Sequence, residues 1–153
     1  MENNIYTNME SNVIDQAANF IAEHEGLQLH VYKCPVGVST IGYGHVLRDF
    51  EDFQTITESQ ALELLKLDTS CALVGILRNT KVQLNINQQI ALTSFVYNLG
   101  LKAYIASSLR QKLNRSEYVS AANEFMKWIY AGGRVLRGLI NRRKKEMELF
   151  LCN

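Results

Sequence analysis

HEGLQLHVYKCPVGVSTIGYGH, residues 24–45, is the stretch whose reading decides the fold. It sets one carboxylate, Glu25, at the end of an amphipathic run and follows it with a segment carrying Cys34 and Thr40. In that segment Leu29, Val31, Val38, Thr40, Ile41 and Tyr43 are β-prone, and Gly37, Gly42 and Gly44 supply turns or bulges. Pro35, the only proline, biases Cys34 toward extended backbone, so Cys34 belongs to a turn or strand. An acid at a helix end facing polar side chains on a hairpin gives a glycosidase one proton donor and one place to hold water.

Upstream, Val13, Ile14, Ala17, Phe20 and Ile21 recur at helical spacing, with Ser11 or Asn12 as the cap and Gly26 as the stop near Glu25. Downstream, Thr57 and Gln60 form a capping-box pattern that opens a helix over 57–79. Its apolar positions are Ala61, Leu64, Leu65, Leu67, Cys71, Val74 and Leu77. This helix is expected to join a small lobe at 12–57 to a helical lobe at 80–151. Asn87 is expected to cap QQIALTSFVYNLG, which is apolar on most sides and therefore the buried centre of a bundle, stopped by Gly100. Shorter helices are expected near 106–113, 116–130 (Ser116 cap) and 137–149, with Gly132 and Gly133 parting the last two. The fold class is α+β, one short hairpin region and a mainly helical remainder.

At 153 residues, 47% hydrophobic and 20% charged, the chain suits one compact domain or two small lobes sharing a core. The net charge of +1 conceals an asymmetry: residues 1–101 are acidic in balance, whereas between Lys102 and Lys145 only Glu117 and Glu124 oppose a long run of bases. A basic half points to an anionic partner (nucleic acid, membrane or the acidic bacterial wall) or to a solvated cationic face. Three cysteines, Cys34, Cys71 and Cys152, cannot all pair, and they show no CxxC or His-linked metal spacing, so a reduced compartment and no metal are expected. The first twenty residues have neither a basic start nor an apolar core, which argues against a leader or membrane anchor.

Glu25, eight residues, Cys34, five residues, Thr40 and then IGYGH resembles the catalytic region of the phage-type lysozymes, glycoside hydrolase family 24, where the middle position is usually Asp and sometimes Cys. The runs NQQIALTSFVYNLG (87–100) and WIYAGGRVLRGLINRRKKEMELF (128–150) resemble the same family, so the likeness covers about residues 12–151. It implies a lysozyme-like fold: a small N-terminal lobe with a β-hairpin, joined by a long helix to a mainly helical C-terminal lobe. It also implies an endolysin, an N-acetylmuramidase cutting the β-1,4 bond between N-acetylmuramic acid and N-acetylglucosamine in peptidoglycan. By that resemblance Glu25 is the general acid, its proton retained by partial burial beside apolar groups, and the Thr40 hydroxyl holds the attacking water. Cys34 departs from the commoner pattern. A thiol with an ordinary pKa of about 8.5 is neutral at pH 7 and a weak acceptor. It is therefore partly thiolate, or gives weaker help, or attacks the sugar covalently, or merely packs.

The resemblance further implies a structural ion pair between His45 and Asp68; a His45–Cys34 catalytic pair is the competing idea, lacking a third orienting group. Tyr97, Asn98 and Arg142 are expected to bind substrate, although Arg143 fits the place beside the acid equally well. The basic run Arg142–Lys145 otherwise reads as an ordinary helix C-terminal half whose cations favour the dipole. No cofactor, no nucleic acid, no separate wall-binding module and a monomer are expected. The protein would be made in the host cytoplasm and reach peptidoglycan in the periplasm after a separate holin permeabilises the membrane. A non-catalytic lysozyme-like wall binder is the alternative, favoured only by Cys34. A helical nucleic-acid binder using the basic half is a third class, without a recognised DNA-reading motif.

Overall fold

In a computed structural model, which describes residues 2–153 and side chains from Ser11 onward, the chain opens with α1 (Glu2–Ala22). The absence of a leader was read from residues that include 1–10, whose side chains lie outside the described set. The helix starts ahead of the Ser11–Asn12 cap expected from sequence. Asn12 is interior, its Oδ1 accepting from Gln16 Nε2 one turn on, at 3.0 Å. Val13 and Ala17 pack with Leu73 and Ile90 of later helices, while Ala18 and Ile21 pack with Leu65 and toward Tyr43. At its end the N–H groups of His24 and Glu25 both bond the Ile21 carbonyl, at 2.9 and 3.2 Å, and this tightened turn releases Glu25 from the helix.

Three antiparallel strands follow, β1 (Gln28–Lys33), β2 (Ser39–Gly42) and β3 (His45–Val46), one more than a hairpin. Thr40 lies opposite Tyr32 on one side and Val46 on the other, and Ile41 opposite His45. The turn before β3 needs positive φ at Gly42 (67°) and Gly44 (95°), a region glycine enters without a Cβ clash. The sheet buries Ile41 against Ile56 and Ala61.

Thr57 and Gln60 do form a capping box at the head of α2 (Glu58–Asn79). Its buried face, however, runs Ala61, Leu65, Thr69, Leu73 and Ile76, while Leu67, Cys71, Val74 and Leu77 are exposed. Gly75 explains part of the shift: a Cβ there would sit 2.7 Å from Leu101 Cδ2, so the glycine lets a neighbouring helix close in. In α3 (Ile86–Leu99) the cap is Asn85, not Asn87; Asn85 Oδ1 accepts from Gln88 N at 2.8 Å and Gln88 Oε1 from Asn85 N at 3.0 Å. Residues 90–96 of α3 are buried without interruption, as an all-round apolar helix requires.

The remainder is more divided than the sequence pattern suggests. It comprises α4 (Leu101–Ala106), α5 (Ser108–Leu113), α6 (Tyr118–Glu124), a single 3₁₀ turn at 125–127, a hairpin of β4 (Tyr130–Ala131) and β5 (Arg134–Val135), and α7 (Arg137–Leu151). Ser116 is not a cap; it sits at φ 62° in the turn ahead of α6. The helical core centres on Phe95, which meets Phe125 and Trp128 edge-on, with Phe150 against Phe125. Among the described residues no helix is long and apolar enough to cross a membrane.

Candidate active site

Glu25 leaves the end of α1 and meets Arg142 of α7, whose Nη1 donates to Glu25 Oε1 at 2.6 Å. The same guanidinium bonds the Ser94 carbonyl through Nη2 at 3.1 Å and Glu146 Oε1 through Nε at 3.2 Å. Arg142 is buried, whereas Glu25 keeps 24% of its side-chain surface open to solvent. The carboxylate is thus gripped by a fixed cation on one side and free on the other, instead of resting only beside apolar groups. Glu25, Asn98 and Arg142 line one cleft of about 770 Å³, with Leu136, just ahead of α7, and Gly138 and Leu139 from its first turn.

Arg143 points elsewhere. Its Nη2 donates to Asn98 Oδ1 at 3.0 Å, its Nε lies 2.8 Å from Glu146 Oε2, and its guanidinium stacks over Phe95 at 5.2 Å from the ring centre. Burial pushes Arg143 down to about 10, the Glu146 charge opposing, so it stays protonated at neutral pH. Glu146, fully buried between the two arginines, is pushed up by burial, against the pull of Arg143, the Ser94 hydroxyl and Arg142. The run Arg142–Lys145 is therefore not a solvated half-helix: its first two members are core residues that fix the cleft. Ser94 and Glu146 escaped the sequence reading. The available signal was the (i, i+4) and (i, i+3) spacing of Arg142 and Arg143 to Glu146.

Cys34 and Thr40 also meet. The Cys34–Gly37 turn is closed by Gly37 N donating to Cys34 O at 2.7 Å, and Cys34 N donates to Val38 O at 2.9 Å. The thiol is pushed down by the N–H groups of Val36 and Val38, against some burial, and further by the Thr40 hydroxyl and Gly37. Cys34 is partly exposed, and Thr40 is buried with its hydroxyl 3.2 Å from Val38 O.

His45 holds two carboxylates: Nδ1 lies 2.7 Å from Asp68 Oδ2 and Nε2 2.9 Å from Glu51 Oε2. Both ring nitrogens can donate there only when the ring is protonated, so the arrangement favours the imidazolium. Neither nitrogen remains for Cys34. Burial works against the charged ring, but hydrogen bonds to Glu51 and Asp68 outweigh it and raise its pKa. Glu51, also missed from sequence, is held low despite burial by the Arg48 N–H and by His45.

Tyr97 borders a cavity of about 450 Å³ with Gly44, His45 and Asp68. Its hydroxyl donates to the Tyr43 carbonyl at 2.7 Å, tying α3 to the turn before β3, and burial pushes its pKa far up. Among the described residues no three His, Cys, Asp or Glu side chains cluster as metal ligands would.

The family model for phage lysozyme matches residues 22–146. The chain is 44% identical over 140 residues to an endolysin of Bacillus phage PZA, a match covering 90% of this chain and 54% of that protein. It is 43% identical over 136 residues to an endolysin of Acyrthosiphon pisum secondary endosymbiont phage 1, covering 85% and 91%. The chain thus spans about half the length of the Bacillus phage PZA and B103 endolysins, 54% in each case. In structure it is similar to the muramidase domain of SpmX from Asticcacaulis excentricus (TM-score 0.82, 30% identity, 90% of this chain and 96% of that one). It is also similar to a mutant of P22 lysozyme (TM-score 0.78, 33% identity, 90% and 96%). By its match over residues 22–146 and these identities, the chain belongs to the phage lysozyme family.

Proposed function

We propose that this chain is the catalytic unit of an endolysin, hydrolysing the β-1,4 bond between N-acetylmuramic acid and N-acetylglucosamine in peptidoglycan. The observation that carries the reading is Glu25, a carboxylate anchored through Oε1 by buried Arg142 at the edge of an open cleft. A proton donor must be held in place yet reach solvent and substrate, and that anchoring supports both needs.

In this reading Glu25 protonates the glycosidic oxygen as the C1–O bond breaks. A water held by Thr40 and Cys34 attacks C1 from the opposite face, passing its proton to solvent as the new C1–O bond forms, and Glu25 takes a proton back from solvent before the next turnover. Negative charge nearby would steady the cationic ring of the transition state, and a lowered thiol pKa at Cys34 moves that side chain toward the role a carboxylate usually fills. Attack by a positioned water inverts the anomeric centre. Asn98, held by Arg143, faces the sugar, and Arg142 orients the acid. Tyr97 and the His45–Asp68 pair serve to hold strand, turn and helix together. All of these residues come from one chain, so a single copy suffices for the chemistry. Synthesis in the host cytoplasm and release through a separate holin complete the proposal.

Digestion of purified peptidoglycan tests it: new reducing ends on N-acetylmuramic acid support the assignment, and new N-termini or no products contradict it. A non-catalytic wall binder is the second reading, favoured only by a thiol standing where the family usually has a carboxylate. It predicts sedimentation with peptidoglycan and no new reducing ends.

A further inference from the structure

The outward face of α2 carries Glu63, Leu67, Cys71, Val74 and Arg78, all exposed, with Leu77 beside them. At 100° per residue these side chains share one narrow stripe about 22 Å long, apolar in the middle and oppositely charged at its ends. A monomeric helix ordinarily turns polar residues to solvent; here the middle of the solvent face, at Leu67, Cys71, Val74 and Leu77, is apolar. The stripe is also complementary to itself when reversed. A two-fold axis placed between Ser70 and Cys71 brings Leu67 level with Val74, Leu64 with Leu77, and acidic Glu63 with basic Arg78 of a second copy.

We propose that α2 is a homodimerisation face, pairing antiparallel with α2 of a second copy of this chain. The occupant follows from the charge order: the same helix run backwards meets each end with the opposite sign, whereas a parallel pairing would set Glu63 on Glu63 and Arg78 on Arg78. Such isologous contacts are the usual route to two-fold dimers. The patch is small beside the roughly 800 Å² per partner of a standard interface, so the dimer is weak and concentration-dependent. It leaves the Glu25 cleft untouched, because that cleft is lined by the end of α1, α3 and α7.

Cys71 makes the geometry testable. It lies half a residue from the axis, so at an interaxial spacing of about 8–10 Å the two Cys71 Cα atoms come within about 5–7 Å, inside the span of a disulfide. The experiment is sedimentation velocity over a wide concentration range, with folding checked by circular dichroism. Diamide cross-linking runs in parallel, each pair of thiols giving two electrons and two protons to the azo group to form one S–S bond. The full chain should shift from monomer to dimer with concentration and cross-link covalently. Cys71→Ser should abolish the cross-link and Cys152→Ser should not. Leu67→Lys should weaken association at least tenfold. Glu63→Arg should weaken it, and the double change Glu63→Arg with Arg78→Glu should restore it. A chain that stays monomeric at all concentrations overturns the proposal. So does a dimer indifferent to Leu67→Lys and Glu63→Arg, or a cross-link that depends on Cys152.

Discussion

Arg142 reaches Glu25 across 117 residues of sequence, Nη1 to Oε1 at 2.6 Å, while its other nitrogens stay bound to Ser94 and Glu146 in the core. The acid of the site is thus positioned by the body of the protein as well as by its own turn. Movement of α7 relative to α3 would move Glu25 with it.

Arg142→Lys should therefore harm more than a charge-conserving change suggests. One ammonium cannot satisfy Ser94, Glu146 and Glu25 together, since it lacks the planar fork of a guanidinium. Losing a charge-assisted buried bond costs about 1.5–3 kcal/mol, to be read from urea unfolding, and wall hydrolysis should fall as well. Wild-type stability with wild-type activity would mean the contact positions nothing.

The Cys34 series separates the roles open to the thiol. Cys34→Asp should be active, because a carboxylate accepts the same hydrogen bond and brings negative charge. Cys34→Ala should be weaker, with only Thr40 left to hold water. If thiolate charge matters, Cys34→Ser should fall toward the alanine level, since a hydroxyl in the same place does not ionise near neutral pH. Product stereochemistry by proton NMR should show inversion. Net retention, with a sugar adduct trapped on Cys34, would contradict the water-holding role.

Glu51→Gln should destabilise the protein in a pH-dependent way. The His45 pKa is raised on folding, so its contribution is fully present below the unfolded value, about 6.5, and is lost as pH rises through the folded value. The Glu51 pKa is lowered, so its contribution is present above the unfolded value, about 4.3, and is lost as pH falls through the folded one. The loss in Glu51→Gln should thus be greatest between about pH 4.3 and 6.5, at about 1.5–3 kcal/mol, and fade toward pH 9. Equal destabilisation at pH 5.5 and pH 9 would rule out His45 as the cause.

Some local signals were legible and others were not: the caps expected at Ser11–Asn12, Asn87 and Ser116 are not caps, because several neighbouring polar residues can each offer the same bond. The Thr57–Gln60 box, the glycines around Tyr43 and the Gly100 stop each act within a few residues, and each stands where the pattern put it. The buried face of α2 was not legible, because Leu67, Val74 and Leu77 are as apolar as Leu65 and Leu73, and only the partner helices decide which side is covered. The α4 helix and the β4–β5 hairpin are too short for periodicity to show. Of the site, Glu25 and Arg142 could be named from resemblance, yet the choice of Arg142 over Arg143 needed the packing of α7 on α3. Glu146 and Glu51 were hidden for a different reason: a buried acid looks like any surface acid until the cations that compensate it are placed around it.

Delivery by Glu25 of the proton on which glycan cleavage depends is open to a single substitution, Glu25→Gln. The amide keeps the shape but has no acidic proton, and general acid catalysis contributes about 10²–10⁴-fold. Initial rates of reducing-end release from purified peptidoglycan, wild type against Glu25→Gln, should fall by about that factor while the circular dichroism spectrum is unchanged. A folded Glu25→Gln protein releasing reducing ends at the wild-type rate would contradict the account.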